Sequence, residues 1–260
     1  MIEIRPCQGF DELEACVELQ IETWGYDNTD IIPRKGFLVG QSIGGQVIGA
    51  FDKDIAGGGA KSLVGFVFSL PGVKVGLGLP QAYLHSHMLA VKQAWRNRGL
   101  GRELKLEQRR EALSRGIRHI EWTFDPLEIK NAFLNINRLG TIVRSYRPDF
   151  YGVSSSRLQG GLPTDRLLAE WWLDSGRVQS IISGRSAVTH AIEERIKVPA
   201  SIYEWKSTEA GRERALAVQA ENRTIFQEAF SRGLAVLGFT RDSEGNGVFE
   251  LGRLAQLELN

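Results

Sequence analysis

Arg96-Asn97-Arg98-Gly99-Leu100-Gly101 lies between an apolar run, Leu84 to Val91, and a helix-like run, Arg102 to Gly116. Glycine has no Cβ, so Gly99 and Gly101 allow a loop to fold its backbone N–H groups around an anion at the N-terminus of the following helix. A pyrophosphate suits that geometry. A plain strand-to-helix turn uses glycine as readily, so the pair by itself leaves both readings open. The dinucleotide fingerprint does not fit, because Leu104 stands where its third glycine belongs, and no Gly-Lys-Ser/Thr marks a nucleotide P-loop.

Composition narrows the rest. With 260 residues and 42% hydrophobic content, the chain can bury a real core and is not disordered. The 32 Lys+Arg against 31 Asp+Glu leave a net charge of +1, which argues against a nucleic-acid partner held by overall charge. Met1 to Arg5 has neither a basic n-region nor an apolar h-region, and no apolar stretch approaches membrane-spanning length. The expectation is a cytoplasmic protein without a membrane partner. Cys7 and Cys16 are the only cysteines; they read as buried thiols, and two cysteines supply too few ligands for structural zinc.

Along the chain, Ile2 to Arg5 reads as a strand, and Phe10, Leu13, Val17, Ile21 and Trp24 recur at helical spacing. Strands follow at Gln46 to Phe51, Ser62 to Leu70 and Leu84 to Val91, with Gly57-Gly58-Gly59 as a hairpin connection. After the Arg102 to Gly116 helix come a strand from Arg118 to Phe124, a helix from Glu128 to Leu139 stopped by Gly140, and strands Thr141 to Arg147 and Leu167 to Leu173. Ser207 to Arg232 reads as an amphipathic helix with Val218, Ile225, Phe226, Ala229 and Phe230 on one face. Leu234 to Thr240 and Gly247 to Leu254 alternate like a terminal hairpin.

Leu89-Ala90-Val91, then four residues, then Arg-x-x-Gly-x-Gly, resembles the central signature of the GNAT acyltransferase superfamily. Asn131-Ala132-x-x-Asn135, Leu139-Gly140, Pro148 to Gly152 and Leu162-Pro163-x-Asp165-Arg166 are similar to a branch of that superfamily with a C-terminal extension. The resemblance implies an α/β fold, a mixed β-sheet flanked by helices. It divides the chain into an acyltransferase domain over 1–174 and an α+β extension over 175–260. It also implies an acyl-CoA-dependent N-acyltransferase, with acetyl-CoA or a longer acyl-CoA as cosubstrate, a small-molecule amine as acceptor and no metal; a homodimer is left open. The implied cofactor contacts are the backbone of Leu89, Ala90 and Val91, the loop Arg96, Asn97, Arg98, Gly99, Leu100 and Gly101, then Arg102, and the pantetheine partners Asn131 and Asn135.

Amine acylation needs an unprotonated nucleophile, a stabilised oxyanion and a proton for the departing thiolate. An alkylammonium of pKa about 10.4 must lose its proton to a base. Glu22, Glu121 and Asp125 are candidates, and each reads equally as a surface or turn carboxylate. His85 and His87 share a strand face without a third metal ligand; packing or hydrogen bonding explains them, and either could serve as a base. The tyrosine that relatives commonly place four residues before the second signature helix's closing glycine is replaced by Ile136. Tyr146 or Tyr151 could supply the acid, although each also reads as a wall residue with a satisfied hydroxyl. The substitution motivates an alternative reading, a non-catalytic acyl-CoA sensor or interaction module. Trp171-Trp172 reads first as core, one ring on each strand face.

Overall fold

The computed structural model describes residues 1–75, 80–185 and 190–254 and divides the chain into two units, Met1–Glu121 and Trp122–Asn260. The boundary falls inside a strand, and parts of the C-terminal extension, 186–189 and 255–260, lie outside the described residues.

In the first unit, β1 (Ile2–Pro6), β2 (Gln46–Asp52), β3 (Leu63–Lys74) and β4 (Gln81–Val91) form an antiparallel sheet in chain order. β5 (His119–Phe124) then pairs with β4 in parallel, at Leu84 with Ile120 and His85 with Glu121. Helix α1 (Gly9–Trp24) covers one face, burying Leu13, Cys16 and Leu19 against Phe66, Phe68, Met88 and Ala90. The Cys7 and Cys16 sulfurs lie 3.8 Å apart within that core. On the other face, Leu100 and Leu104 of α3 (Leu100–Ser114) meet Ile48, Ala50, Val64 and Val67, with Leu89 and Val91 packed alongside. The sequence reading lacks one helix here, α2 (Arg34–Ser42). Gly36 and Gly40 lower its helix propensity, and packing of Phe37 against Phe66 and Phe68 outweighs that.

In the second unit, β6 (Ile142–Arg147), β7 (Arg166–Trp172), β8 (Glu194–Val198), β9 (Ala235–Arg241) and β10 (Gly247–Gly252) are antiparallel neighbours in the order β7-β6-β9-β10-β8. The terminal hairpin expected from sequence is β9-β10, and it joins β6 through Val143 and Val236. Trp171 is the core ring of its pair, packed edge-on against Trp122 with its Nε1 donating to Leu139 O. Two short helices, α5 (Gly176–Ile182) and α6 (Ile202–Ser207), precede helix α7 (Glu209–Ser231), which is capped by Thr208, whose hydroxyl accepts from Gly211 N.

The expected apolar stripe of α7 is corrected in part. Its buried positions are Gly211, Ala215, Gln219, Asn222, Phe226 and Ala229, while Val218, Ile225 and Phe230 are only partly buried. Gln219 and Asn222 fit the buried face because their amides donate to the carbonyls of Pro163 and Lys197. Phe226 is the centre of the contact, stacked on Tyr146 and edge-on to Phe249. Since Phe226 is 0% exposed, Phe226→Ala is expected to lower stability by about 3 to 5 kcal/mol, read from denaturant unfolding.

Candidate active site

The loop expected to hold an anion has the backbone that role requires. Asn97 (φ 61°) and Gly99 (φ 84°) both occupy the left-handed region, and Gly99 sits immediately before α3, whose first residues are Leu100 and Gly101. The N–H groups of Arg102 and Glu103 turn back to Gly99 O, closing the first helical turn. A Cβ placed on Gly99 would meet nothing within 4 Å, so the loop's outer side is open. Arg96, Asn97 and Arg98 are exposed, and Arg96 Nε donates to Val91 O at 2.9 Å, tying the loop to the end of β4. Arg102 is half-buried at the helix start and meets Glu103 at 3.5 Å. Left-handed turns feeding a helix N-terminus, with arginines around them, are chemistry suited to an anion such as a pyrophosphate.

β4 is not regular. Phe68 pairs with Met88, but the next residue of β3, Ser69, pairs with Ser86, so His87 is an extra residue on β4. The bulge inverts the alternation of faces. Ser86 points to α3, accepting from Lys105 Nζ at 2.7 Å and bonding Gln108 Oε1 at 3.0 Å. Leu89 and Val91, an odd number of residues further on, pack on that same side, while Met88 and Ala90 join the α1 core. His87 lies edge-on to Phe68. Burial, with the charge of His85 adding to it, pushes the His87 pKa down to about 4.

Glu121, beside His85 on β5, is 7% exposed. Its carboxylate pairs with the Lys74 ammonium, and His85 Nδ1 is 3.9 Å from its other oxygen. Burial alone would raise the Glu121 pKa. The adjacent His85 imidazole and the bonded Lys74 ammonium, with the positive charge of Lys74 and His119, overcome this and hold it at about 2. Tyr83 stands next to the same carboxylate, and burial first, then that negative charge, raises its phenol pKa. Lys74, Tyr83, His85 and Glu121 are thus one cluster within the first unit.

The other expected groups are placed differently. Glu22 is exposed on α1. Tyr146 is a correction: its hydroxyl is buried and donates to Asp165 Oδ2 at 2.6 Å, while Arg223 holds both oxygens of that carboxylate at 2.8 and 2.9 Å. Burial and Asp165 push the Tyr146 pKa well up, which commits the phenol to a structural bond. Tyr151 is exposed, with its hydroxyl 2.8 Å from Thr123 Oγ1. Asp125 is a turn carboxylate, accepting from Leu127 N and paired with the buried Lys206 at 2.8 Å.

No family model and no curated protein matches the chain. Solved structures do. NAA60 from Arabidopsis thaliana in complex with acetyl-CoA aligns with a TM-score of 0.52 at 16% identity, over 66% of this chain and 99% of that one. A Desulfovibrio desulfuricans protein assigned to the GNAT family of acetyltransferases gives 0.50 at 13% identity, over 66% and 99%. The NatC complex bound to Gag peptide and CoA gives 0.50 at 12% identity, over 65% and 97%. The chain has the GNAT fold.

Within the GNAT fold, the second signature helix departs from the sequence expectation. It begins as α4 (Ile129–Ala132) and continues as a π-helix over Phe133–Arg138, with Leu139 N donating to Leu134 O. The wider turn separates residues that a regular helix would align. Asn131 is exposed whereas Asn135 is buried, so the two do not present a common polar face, and Ile136 is core. Among the described residues no group of three or more His, Cys, Asp or Glu could hold a metal ion, and no helix is long and apolar enough to cross a membrane.

His87 gives the site a pH signature. Its folded pKa, about 4, lies below the ordinary 6.5, so its contribution to stability is complete above pH 6.5 and is lost as pH falls through 4. The loss amounts to about 3 kcal/mol. His87→Phe keeps a ring at the bulge without the titration; its unfolding free energy should fall less steeply than the parent's between pH 6.5 and 4, as denaturant titrations at stepped pH would read.

Proposed function

We propose that the chain is an acetyl-CoA-dependent N-acetyltransferase that transfers the acyl group to a small amine directly, in a ternary complex. The observation that carries this reading is the left-handed Asn97 and Gly99 turn at the N-terminus of α3, tied to β4 through Arg96, in a chain with the GNAT fold. Arg96, Arg98 and Arg102 meet the pyrophosphate with the loop N–H groups from Asn97 to Gly101, and the Leu89 to Val91 backbone receives the thioester arm. Residues 1–174 form the acyltransferase domain, 175–260 its extension, and the protein works in the cytoplasm.

For the base we assign His85, with Glu121 as the group that positions it. A carboxylate held at about pKa 2 is a weak proton acceptor, whereas it can orient the His85 ring through Nδ1 and leave Nε2 for the amine. The ammonium gives one proton to His85, the lone pair so freed forms the C–N bond as the C–S bond breaks, and the second N–H proton passes to the departing thiolate, releasing coenzyme A as its thiol. Tyr146 has no part in this, because its hydroxyl is engaged by Asp165. Burial of Ile136 where relatives carry an acid supports a second reading, an acyl-CoA sensor without turnover.

Thiol release from acetyl-CoA across a panel of small amines and peptides tests the choice. Amine-dependent release is expected, and binding of acetyl-CoA without release would establish the sensor. Gly99→Asp, which forces a side chain and a negative charge onto a left-handed position, should weaken coenzyme A binding about 100-fold or more by calorimetry. His85→Ala should lower kcat by about 10² to 10⁴ while leaving the KM for acetyl-CoA unchanged.

A further inference from the structure

The Lys74 ammonium is in an unusual place for a surface lysine. Lys74 is the last residue of β3, and its side chain is 44% exposed, yet its charge is seated on the buried Glu121 carboxylate. The same ammonium lies 5.1 Å from the centroid of the Tyr83 ring. The ring is held there by the backbone beneath it: Gly72 pairs with Tyr83 across the sheet, and a Cβ at Gly72 would come within 2.5 Å of Tyr83 Cε1. A fixed carboxylate flanked by an aromatic face is a receptor for an organic cation, since the anion neutralises the charge and the ring quadrupole attracts it on a second side. His85 adjoins this receptor through the same carboxylate.

We propose that Glu121 and Tyr83 form the ammonium subsite for the acceptor, and that Lys74 fills it in the free protein and swings out to solvent when a cationic amine enters. The proposal deepens the N-acetyltransferase reading by naming the acceptor class, an alkylamine that arrives as its ammonium ion. An internal occupant that holds the subsite nine-tenths of the time lowers the apparent affinity for an external cation about ten-fold. Lys74 therefore sets the concentration at which the amine engages.

Choline and its neutral isostere 3,3-dimethylbutan-1-ol, titrated into the full chain by calorimetry without any acyl-CoA, test the subsite apart from the chemistry. Choline should bind and the alcohol should not. Lys74→Met, a change at an exposed position, should tighten choline binding about ten-fold. The double variant Lys74→Met with Glu121→Gln, which leaves no buried charge unpaired, should bind choline no better than the alcohol, and Tyr83→Leu on the Lys74→Met background should weaken it. Equal binding of choline and the alcohol, or an unchanged choline affinity in Lys74→Met, would overturn the proposal. Failure of acetyl-CoA turnover with these titrations intact would count against the transferase reading alone.

Discussion

A lysine buried beneath a sheet and hydrogen-bonded to a strand serine is tolerated only where the strand cannot move, because burial drives its pKa well down and leaves a strong donor with few partners to choose from. Lys105 is 2% exposed and donates to Ser86 at the point where β4 bulges. Across the sheet, the Ser69 hydroxyl donates to Gln46 Oε1 and accepts from Gln46 N, so both members of this strand pair are hydroxyls satisfied by neighbouring elements. A one-residue slip would carry Ser86 toward the phenylalanines of the α1 core and away from Lys105. The polar pair therefore fixes the register of an otherwise apolar strand. Everything in the first unit's site follows from that register: His85 faces Glu121, His87 is set against Phe68, and Leu89 and Val91 turn toward the helix that follows the anion loop.

Charge is arranged around the same strand so that Glu121 and His87 each hold one protonation state at neutral pH. Glu121 is buried, which by itself would favour the neutral acid; the surrounding cation and imidazoles reverse this and make it a permanent anion. His87, buried a short distance along the strand, is kept neutral by desolvation and by its neighbour's charge. Between them stands His85, on the same strand and facing the Glu121 carboxylate. In the proposed reaction the Glu121 carboxylate orients the His85 imidazole, so stability and chemistry would draw on the same group.

The left-handed turn before α3 was legible from sequence because its requirement is local: glycine before a helix, with arginines near it, is written in six consecutive residues. Strand and helix order was legible for the same reason, through alternation and 3.6-residue spacing. What sequence hid was set by distant partners. Helix α2 looks like a loop because Gly36 and Gly40 interrupt it, and only contact with the β3 phenylalanines makes it helical. The π-turn at Phe133 leaves no mark in composition, so the burial of Asn135 beside an exposed Asn131 could not be read from sequence. Sequence leaves Tyr146 open between an acid and a wall residue, because Asp165, which accepts its hydroxyl, and Arg223, which shares that carboxylate, lie far along the chain. The Glu121 cluster showed only its parts: one carboxylate and two histidines were visible, but Lys74 and Tyr83 join them through strand register alone.

The tie between Asp165 and Arg223 also explains why the extension is not an optional appendage to the second unit. Asp165 is wholly buried and carries Tyr146 O–H, Asp149 N and the Arg223 guanidinium on its two oxygens. Only the arginine among these is charged, and it comes from α7. Without it the carboxylate would be a buried anion held by neutral donors, a state that costs several kcal/mol and is commonly relieved by protonation or local unfolding. Arg177 adds a second tie, donating to the carbonyls of Gly140 and Leu237, one on each side of the expected domain boundary. β9 extends the same sheet from β6. The extension therefore supplies a counter-charge, a strand and a covering helix to elements that precede it in sequence, and the second unit reaches a satisfied core only when both stretches of chain are present.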